Sequence, residues 1–262
     1  KLITEKNALP FITGTICAHR CQGKCTRNFY DESVQIRDTK LLAAKKGFDA
    51  LMASIHAPEK VAGKKVAIIG GGPTGIAAAY FLGRGGVSAT IFERENTLGG
   101  VPRHVIPAFR ISDEAIDKDV ALMKKYGVDI RLGAPAPSVA ELKQQGYTHI
   151  LFAVGAWKAG ALNIEGNVVG VIGWMKDMKK EVKPCLSGSV VVVGAGNTAM
   201  DAARVAKRMG ADATIVYRRT KKYMPADEHE LQLAMEDGVK FVELAAPVRQ
   251  ADGKLPLEMM VL

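Results

Sequence analysis

Val66-Ala67-Ile68-Ile69-Gly70-Gly71-Gly72-Pro73-Thr74-Gly75 decides the fold, because an apolar run ends in a glycine loop and opens straight into a helix pattern. A short continuous apolar run of this kind reads as a strand buried on both faces of a parallel sheet. Alanine-rich Ile76 to Leu82 then reads as helix, and Ala89-Thr90-Ile91-Phe92 as the next strand. The same order recurs in Val190-Val191-Val192-Val193-Gly194-Ala195-Gly196-Asn197-Thr198-Ala199, a helical stretch Met200 to Met209, and Ala213-Thr214-Ile215-Val216. Two βαβ starts in one chain predict an α/β protein with two Rossmann-like dinucleotide-binding units, each on a parallel sheet.

The loops differ in the chemistry they offer. In the first, Gly70 permits the tight turn, Gly72 the approach of a pyrophosphate, and Gly75 close packing of helix on strand. Helix N–H groups and the helix dipole attract the phosphates. Glu93 closes the following strand, where a carboxylate accepts hydrogen bonds from ribose hydroxyls. The second loop keeps Gly194 and Gly196 and carries Ala199 in the third glycine's place, an accepted variant. Its following strand runs into Tyr217-Arg218-Arg219 instead of an acid. A carboxylate would repel a 2′-phosphate, whereas guanidiniums clasp it with charge-assisted hydrogen bonds, so this site points to NADP(H) over NAD(H).

Composition narrows the function classes. The chain has 262 residues, 48% of them hydrophobic and 24% charged, which suits one large or two ordinary globular domains. No apolar run approaches the ~18 residues of a membrane span, and no signal-peptide pattern opens the chain. Lys and Arg number 36 against 27 Asp and Glu, a formal net charge of +9. Aromatic residues make up only 6%, too few for stacking platforms, so no nucleic-acid partner is expected. Basic surface for phosphate-bearing cofactors explains the excess more simply. Four cysteines, three of them clustered, do not make a secreted disulfide framework; a reducing, cytoplasmic setting is expected.

Three segments follow from this pattern: 1–57, helical and cysteine-bearing; 58–172, the first Rossmann-like domain; and 173–262, the second. Thr39 to Ile55 has a helical pattern, and Pro58 to Lys64 reads as a linker. Ser112 to Tyr126 and Asp227 to Glu236 read as helices stopped by Gly127 and Gly238. Ile150 to Val154 reads as a returning buried strand.

Several strings resemble the glutamate synthase small-subunit family, which includes the electron-input half of dihydropyrimidine dehydrogenase. They are the two glycine loops, Leu98-Gly99-Gly100, Ile106-Pro107-Ala108-Phe109-Arg110, Met200-Asp201, Tyr217-Arg218-Arg219 and Met224-Pro225-Ala226, in the family's order along essentially the whole chain. The resemblance implies FAD on Gly70, Gly72, Pro73, Gly75, Glu93, Gly100 and the Ala153-Val154-Gly155 turn. It implies NADPH on Gly196, Asn197, Thr198, Arg218 and Arg219, and an electron-accepting subunit or domain as partner. In that family the FAD domain resumes after the NADPH domain, so the chain reads as a fragment whose FAD site is incomplete.

Cys17, Cys21 and Cys25 form a C-x3-C-x3-C cluster that fits part of an iron–sulfur site, 4Fe-4S by the resemblance. Such a site wants four ligands. The family's Asn-x-x-Pro signature is matched by Asn7 and Pro10, but the nearest counterpart of its Gln or Glu ligand is Lys40, a poor iron ligand. A stable cluster is therefore not expected in this chain, and Cys185 reads as an isolated thiol. The functional expectation is an electron-input module: NADPH reduces FAD, which passes single electrons to iron–sulfur centres of a larger enzyme. The alternative is a non-catalytic nucleotide-binding subunit that keeps the fold. A disulfide reductase would need a C-x2-C or C-x4-C pair beside the flavin, and neither glycine loop is followed by one.

Overall fold

The computed structural model describes residues 1–158, 160, 162–180 and 185–261, and the chain divides into two compact units, Lys1–Gly155 and Ala156–Leu262. The first unit runs α1 (Leu2–Lys6), α2 (Pro10–Ile16), α3 (Ile36–Ser54), β1 (Lys65–Ile69), α4 (Pro73–Arg84) and β2 (Ser88–Phe92). It continues through α5 (Val101–His104), α6 (Asp113–Lys124), β3 (Asp129–Arg131), α7 (Val139–Gln144) and β4 (His149–Phe152). All four strands are parallel, in the order β3-β2-β1-β4, with Ile69 beside Phe92 on one side and Phe152 on the other. The chain builds outward from β1 to β3 and then returns to β1's other flank. Ligands of open α/β sheets bind at the carboxyl ends of strands where the order reverses in this way, here between β1 and β4.

β-branched residues fill the centre of this unit: Ile68, Ile76, Ile91 and Ile116 are fully buried, with Tyr80, Leu122 and Met123. Residues 1–57 share that core instead of standing apart, since Ala8, Leu9, Ile12 and Ile55 belong to the same cluster. A buried carboxylate fixes them there. Leu9 at the N-cap of α2 offers no side-chain acceptor, and Asp119 of α6 supplies one from another element. Its Oδ1 accepts the Phe11 N–H at 3.1 Å and its Oδ2 the Ile12 N–H at 2.7 Å. Burial pushes the Asp119 carboxyl up to about 7, against the pull of the two amides and of Lys40. The Tyr80 hydroxyl donates to the Thr4 carbonyl at 3.1 Å, tying α1 to α4.

The second unit comprises α8 (Val171–Lys180), β5 (Ser189–Val193), α9 (Asn197–Arg208), β6 (Asp212–Tyr217), α10 (Glu228–Glu236), β7 (Lys240–Glu243), β8 (Ala245–Pro247) and β9 (Leu257–Met259). β5, β6 and β7 form a parallel sheet in that order, and β8 pairs antiparallel with β9. α9 turns Ala199, Met200, Ala203 and Ala206 inward, so small side chains let it lie close on the sheet. Its Arg204 is buried and pairs with Asp237 at 2.7 Å, which Arg208 also contacts at 2.9 Å. Hydrogen bonds from Arg208 and Arg204 hold the Asp237 carboxyl below the usual range, outweighing burial.

Two strands depart from the sequence expectation. β4 spans His149–Phe152 and is not buried: Leu151, Phe152 and Val154 are 37%, 63% and 55% exposed. In β5, Val191 and Val193 are 37% and 41% exposed. Each has a strand neighbour on one side only among the described residues, so a continuous apolar run here marks an edge strand and not a centre. The helix signals read as expected: Ser112 accepts the Ala115 N–H to cap α6, and Asp227 accepts the His229 N–H to cap α10.

Candidate functional site

The first glycine loop is built by crowding. Gly70 follows β1 with φ +107°, and its N–H donates to the Phe92 carbonyl at 2.8 Å. A Cβ on Gly70 would stand 2.5 Å from the Ala153 carbonyl oxygen, so β1 and β4 close on each other across this point. A Cβ on Gly75 would stand 1.9 Å from the Gly70 carbonyl oxygen, which is why α4 can start so near the strand only with glycine there. α4 begins with Gly72 as N-cap and Pro73 in its first turn, and no side chain caps it. Its first N–H groups therefore point at the crevice, as a pyrophosphate requires. Gly99 donates to the Gly71 carbonyl at 2.8 Å, and the next residue lies so close that a Cβ on Gly100 would be 2.7 Å from the Gly72 Cα.

Glu93 has a structural task that motif reading missed. It is 8% exposed, and its Oε2 accepts the Gly71 N–H at 2.6 Å while Oε1 accepts the Glu95 N–H at 2.9 Å. The carboxylate thus braces the loop from inside, with lone pairs left for other donors. A Cβ on Gly71 would stand 2.3 Å from the tip of the Leu98 side chain, so a larger residue there must push Leu98 aside. Fingerprint logic treats that position as free; the run of three glycines was the signal.

The second loop repeats the strand geometry and drops the crowding. Gly194 has φ +119° and donates to the Val216 carbonyl at 2.9 Å, the bond that Gly70 makes to Phe92. Nothing lies within 4 Å of a Cβ built on Gly194 or Gly196. Gly196 is the N-cap of α9, again without a side-chain cap. The register sets Val193 beside Val216 as it sets Ile69 beside Phe92, so Tyr217 stands where Glu93 stood. Its hydroxyl donates away, to the Tyr223 carbonyl at 2.7 Å. Arg218 and Arg219 follow, both exposed, and neither guanidinium forms a hydrogen bond or ion pair among the described residues. The Ala226 N–H donates to the Ala195 carbonyl at 3.0 Å, so Met224-Pro225-Ala226 fastens this loop from behind. The Asn197 Oδ1 is buried with no hydrogen-bond partner among the described residues, an acceptor waiting for a donor. The open space, the uncapped helix and this orphaned atom fit a bound nucleotide, as the glycine cradle and Glu93 do in the first unit.

The cysteines are a different case. Cys17 and Cys21 are exposed, Cys25 is partly exposed, and all are free. Among the described residues no group of three or more His, Cys, Asp or Glu side chains converges to hold a metal ion. Backbone N–H groups of Val34 and Arg27 hold the Cys25 thiol below its usual value. Lys40 donates to Thr13 Oγ1 at 3.1 Å and so belongs to the packing of α3 on α2. The three thiols as folded do not fit a cluster. Cys185 is an exposed, free thiol.

The family model for "Pyridine nucleotide-disulphide oxidoreductase" matches residues 64–255, a range that includes both glycine loops. The chain belongs to that family. The chain is 44% identical to the putative oxidoreductase YgfK of Escherichia coli (strain K12), over 100% of its own length and 26% of YgfK's. It is 37% identical to the NADPH-Fe(3+) oxidoreductase subunit beta of Geobacter sulfurreducens (strain ATCC 51573 / DSM 12127 / PCA), over 95% of this chain and 39% of that one. It is 30% identical to the glutamate synthase [NADPH] small chain of Escherichia coli (strain K12), over 92% and 55%. The resemblance carried by the motifs therefore holds, and the chain spans about a quarter to a half of the length of these relatives. Among solved structures, a 2-naphthoyl-CoA reductase complex shares the fold, with a TM-score of 0.64 at 17% identity over 88% of this chain and 34% of that one. This family's chains are oxidoreductases of α/β architecture, and no described helix here is long and apolar enough to cross a membrane.

Proposed function

We propose that this chain is the electron-input module of a larger NADPH-dependent flavoprotein, working in the cytoplasm and serving an electron-accepting subunit or domain. The first unit holds FAD on Gly70, Gly72, Pro73, Gly75, Glu93, Gly100 and Gly155. The second holds NADPH on Gly194, Gly196, Asn197, Thr198, Arg218 and Arg219. When bound, the pair would supply hydride-transfer and one-electron chemistry. The chain's own residues do the holding. The uncapped starts of α4 and α9 present N–H groups to phosphate oxygens, and Glu93 accepts from ribose hydroxyls while keeping its bond to Gly71. Asn197 Oδ1 accepts from the nucleotide and so loses its orphan status. Glutamate synthase and Fe(3+) oxidoreductase relatives carry NADPH in their names and are called small chain and subunit beta, which supports a module within an assembly. No step is assigned to Cys17, Cys21 and Cys25.

One observation carries the reading: two exposed guanidiniums, Arg218 and Arg219, follow the strand beside an open glycine loop, where Tyr217 has replaced the acid. The test is a fluorescence titration of the chain with NADPH and with NADH. Tighter binding of NADPH is expected; equal affinities, or a preference for NADH, would remove the basis of the proposal.

A further inference from the structure

We propose that Tyr217 and Glu243 are positioning residues for the nucleotide's 2′-phosphate, because they tether the turn that follows Arg218 and Arg219. The inference rests on the NADPH reading above and deepens it. Tyr217 and Glu243 are partners in the parallel register of β6 and β7, and each is the last residue of its strand. From there both side chains reach one short 3-10 turn, Lys221–Tyr223. The Lys221 N–H donates to Glu243 Oε2 at 2.6 Å, and the Tyr217 hydroxyl donates to the Tyr223 carbonyl at 2.7 Å. Thr220 at the N-cap makes no side-chain cap, so Glu243 supplies the missing acceptor from a neighbouring strand. Two backbone bonds complete the frame. The Leu244 N–H donates to the Arg219 carbonyl at 3.3 Å, and the Ala226 N–H to the carbonyl of Ala195 in the glycine loop at 3.0 Å.

Four cations lie in this stretch, and the frame sorts them. Lys221 Nζ stands 3.9 Å from Glu243 Oε1 and 5.7 Å from the centre of the Phe241 ring, while Lys222 Nζ lies 5.9 Å over the Tyr223 ring. Arg218 and Arg219, between the end of β6 and the turn, stay exposed. A guanidinium on a loose loop must order its backbone as well as its own rotamers to grip a phosphate; on a tethered loop only the rotamers remain to be ordered. The tethers therefore favour a ligand that engages the arginines and do little for one that does not. The first unit uses the corresponding position in the other direction. Glu93 accepts the Gly71 N–H and braces its glycine loop, whereas Tyr217, only 8% exposed, gives its hydroxyl to the arginine-bearing side.

The experiment is a fluorescence titration of the full chain and its variants with NADPH and with NADH. Tyr217→Phe keeps the buried ring and removes the tether, so NADPH binding should weaken roughly 5-fold, as for one net hydrogen bond, and NADH binding much less. In a chain already carrying Arg218→Ala and Arg219→Ala, the same change should alter NADPH binding by less than about 2-fold, because no guanidinium is left to place. Glu243 provides a second arm that decides the matter even where Tyr217→Phe fails to fold. Glu243→Gln keeps an acceptor for the Lys221 N–H, Glu243→Ala does not, and both remove the same charge. NADPH should therefore bind roughly 5-fold more weakly to the alanine variant than to the glutamine variant. A packing role alone would lower the melting temperature and leave the ratio of NADPH to NADH affinity at the wild-type value. That unchanged ratio in Tyr217→Phe, an undiminished effect in the chain lacking both arginines, or equal NADPH affinities of the two Glu243 variants overturns the positioning role. A wild-type chain without NADPH preference overturns instead the reading on which it rests.

Discussion

The two glycine loops share strand, turn and helix, yet one is locked and the other open. Around the first, β4, the Gly99-Gly100 turn and Glu93 press in until Cβ atoms have no room on Gly70, Gly71, Gly75 or Gly100. Around the second, Gly194 and Gly196 face empty space, and Ala199 fills the place of Gly75. Glycine does a structural job at Gly70, Gly75 and Gly100, because neighbouring backbone occupies the side-chain positions there. In the second, the φ of +119° still asks for glycine at Gly194, but the space beside Gly194 and Gly196 is open among the described residues and leaves room for a ligand. One fingerprint thus covers two physical demands, and a substitution tells them apart.

The largest contrast expected between the units is their response to pH. Asp119 in the first unit has its carboxyl raised to about 7 by burial, and Asp237 in the second is lowered by Arg208 and Arg204. A raised group favours the protonated fold: its contribution is fully present below the unfolded value of 3.8 and is lost as pH rises through about 7. The shift corresponds to roughly 4 kcal/mol across that window. The lowered Asp237 acts oppositely, stabilising above 3.8 and losing that contribution as pH falls through its folded value. Trp157 and Trp174 are the chain's two tryptophans and both lie in the second unit, so their fluorescence follows that unit alone. Calorimetry from pH 4 to 8 should show the first unit's transition falling with pH while the tryptophan-detected one does not. Asp119→Asn should flatten the first unit's slope; an unchanged slope would mean that another group carries it.

Next in size is an exchange of residues between the loops. Gly75→Ala puts into the first loop what the second already has, and its Cβ meets a backbone oxygen that cannot swing away. A loss of roughly 3 kcal/mol is expected. The reverse change, Ala199→Gly, removes only a small helical side chain and should cost about 1 kcal/mol. Urea denaturation of both variants decides. Similar costs would show that the first loop is no more crowded than the second.

Ligand selectivity should separate the units as well. Each charge-assisted contact is worth about 1.5–3 kcal/mol, so Arg218→Ala should weaken NADPH binding by roughly 10- to 150-fold. NADH binding should hardly change, because Arg218 has no partner to lose when the 2′-phosphate is absent. An equal loss for both cofactors would place Arg218 in the fold instead of the nucleotide site.

Much of this arrangement could be read from local sequence, and what could not depends on distant contacts. Both strand–loop–helix starts, and the helices capped by Ser112 and Asp227, are local patterns and stand where the sequence puts them. The exposure of Val191, Val193, Leu151 and Phe152 was hidden, since an apolar run looks the same at the edge of a sheet as at its centre. Residues 1–57 looked separate because their anchor, Asp119, is far along the chain from the amides of Phe11 and Ile12. The place of Glu93 after β2 carries the expectation of a ribose contact, but its bond to Gly71 was hidden, because only the folded turn brings them together. The cysteine spacing suggested a shared ligand set; spacing fixes how far apart thiols lie along the chain, not where they point.

The smallest expected effect concerns one orphaned polar atom in each unit. Among the described residues, the Tyr147 hydroxyl and Asn197 Oδ1 are buried without a hydrogen-bond partner. Asn197 sits at the start of α9, on the open loop, where a nucleotide can supply the missing donor. Tyr147 lies among Ala67, Phe92 and Leu142, its ring edge-on to Phe92 at 5.8 Å and under Lys65 Nζ at 4.3 Å, in an apolar cluster with no loop to serve. A hydroxyl buried without a partner costs desolvation and returns nothing, while the ring's packing stays favourable. Tyr147→Phe should therefore stabilise the first unit by up to about 1 kcal/mol and leave titrations with either nucleotide unchanged. Asn197→Ala should do the reverse, leaving the melting temperature almost unmoved and weakening NADPH binding. Should Tyr147→Phe destabilise the chain or alter cofactor binding, the Tyr147 hydroxyl has a partner that the bare fold does not contain, and the two orphans would be alike.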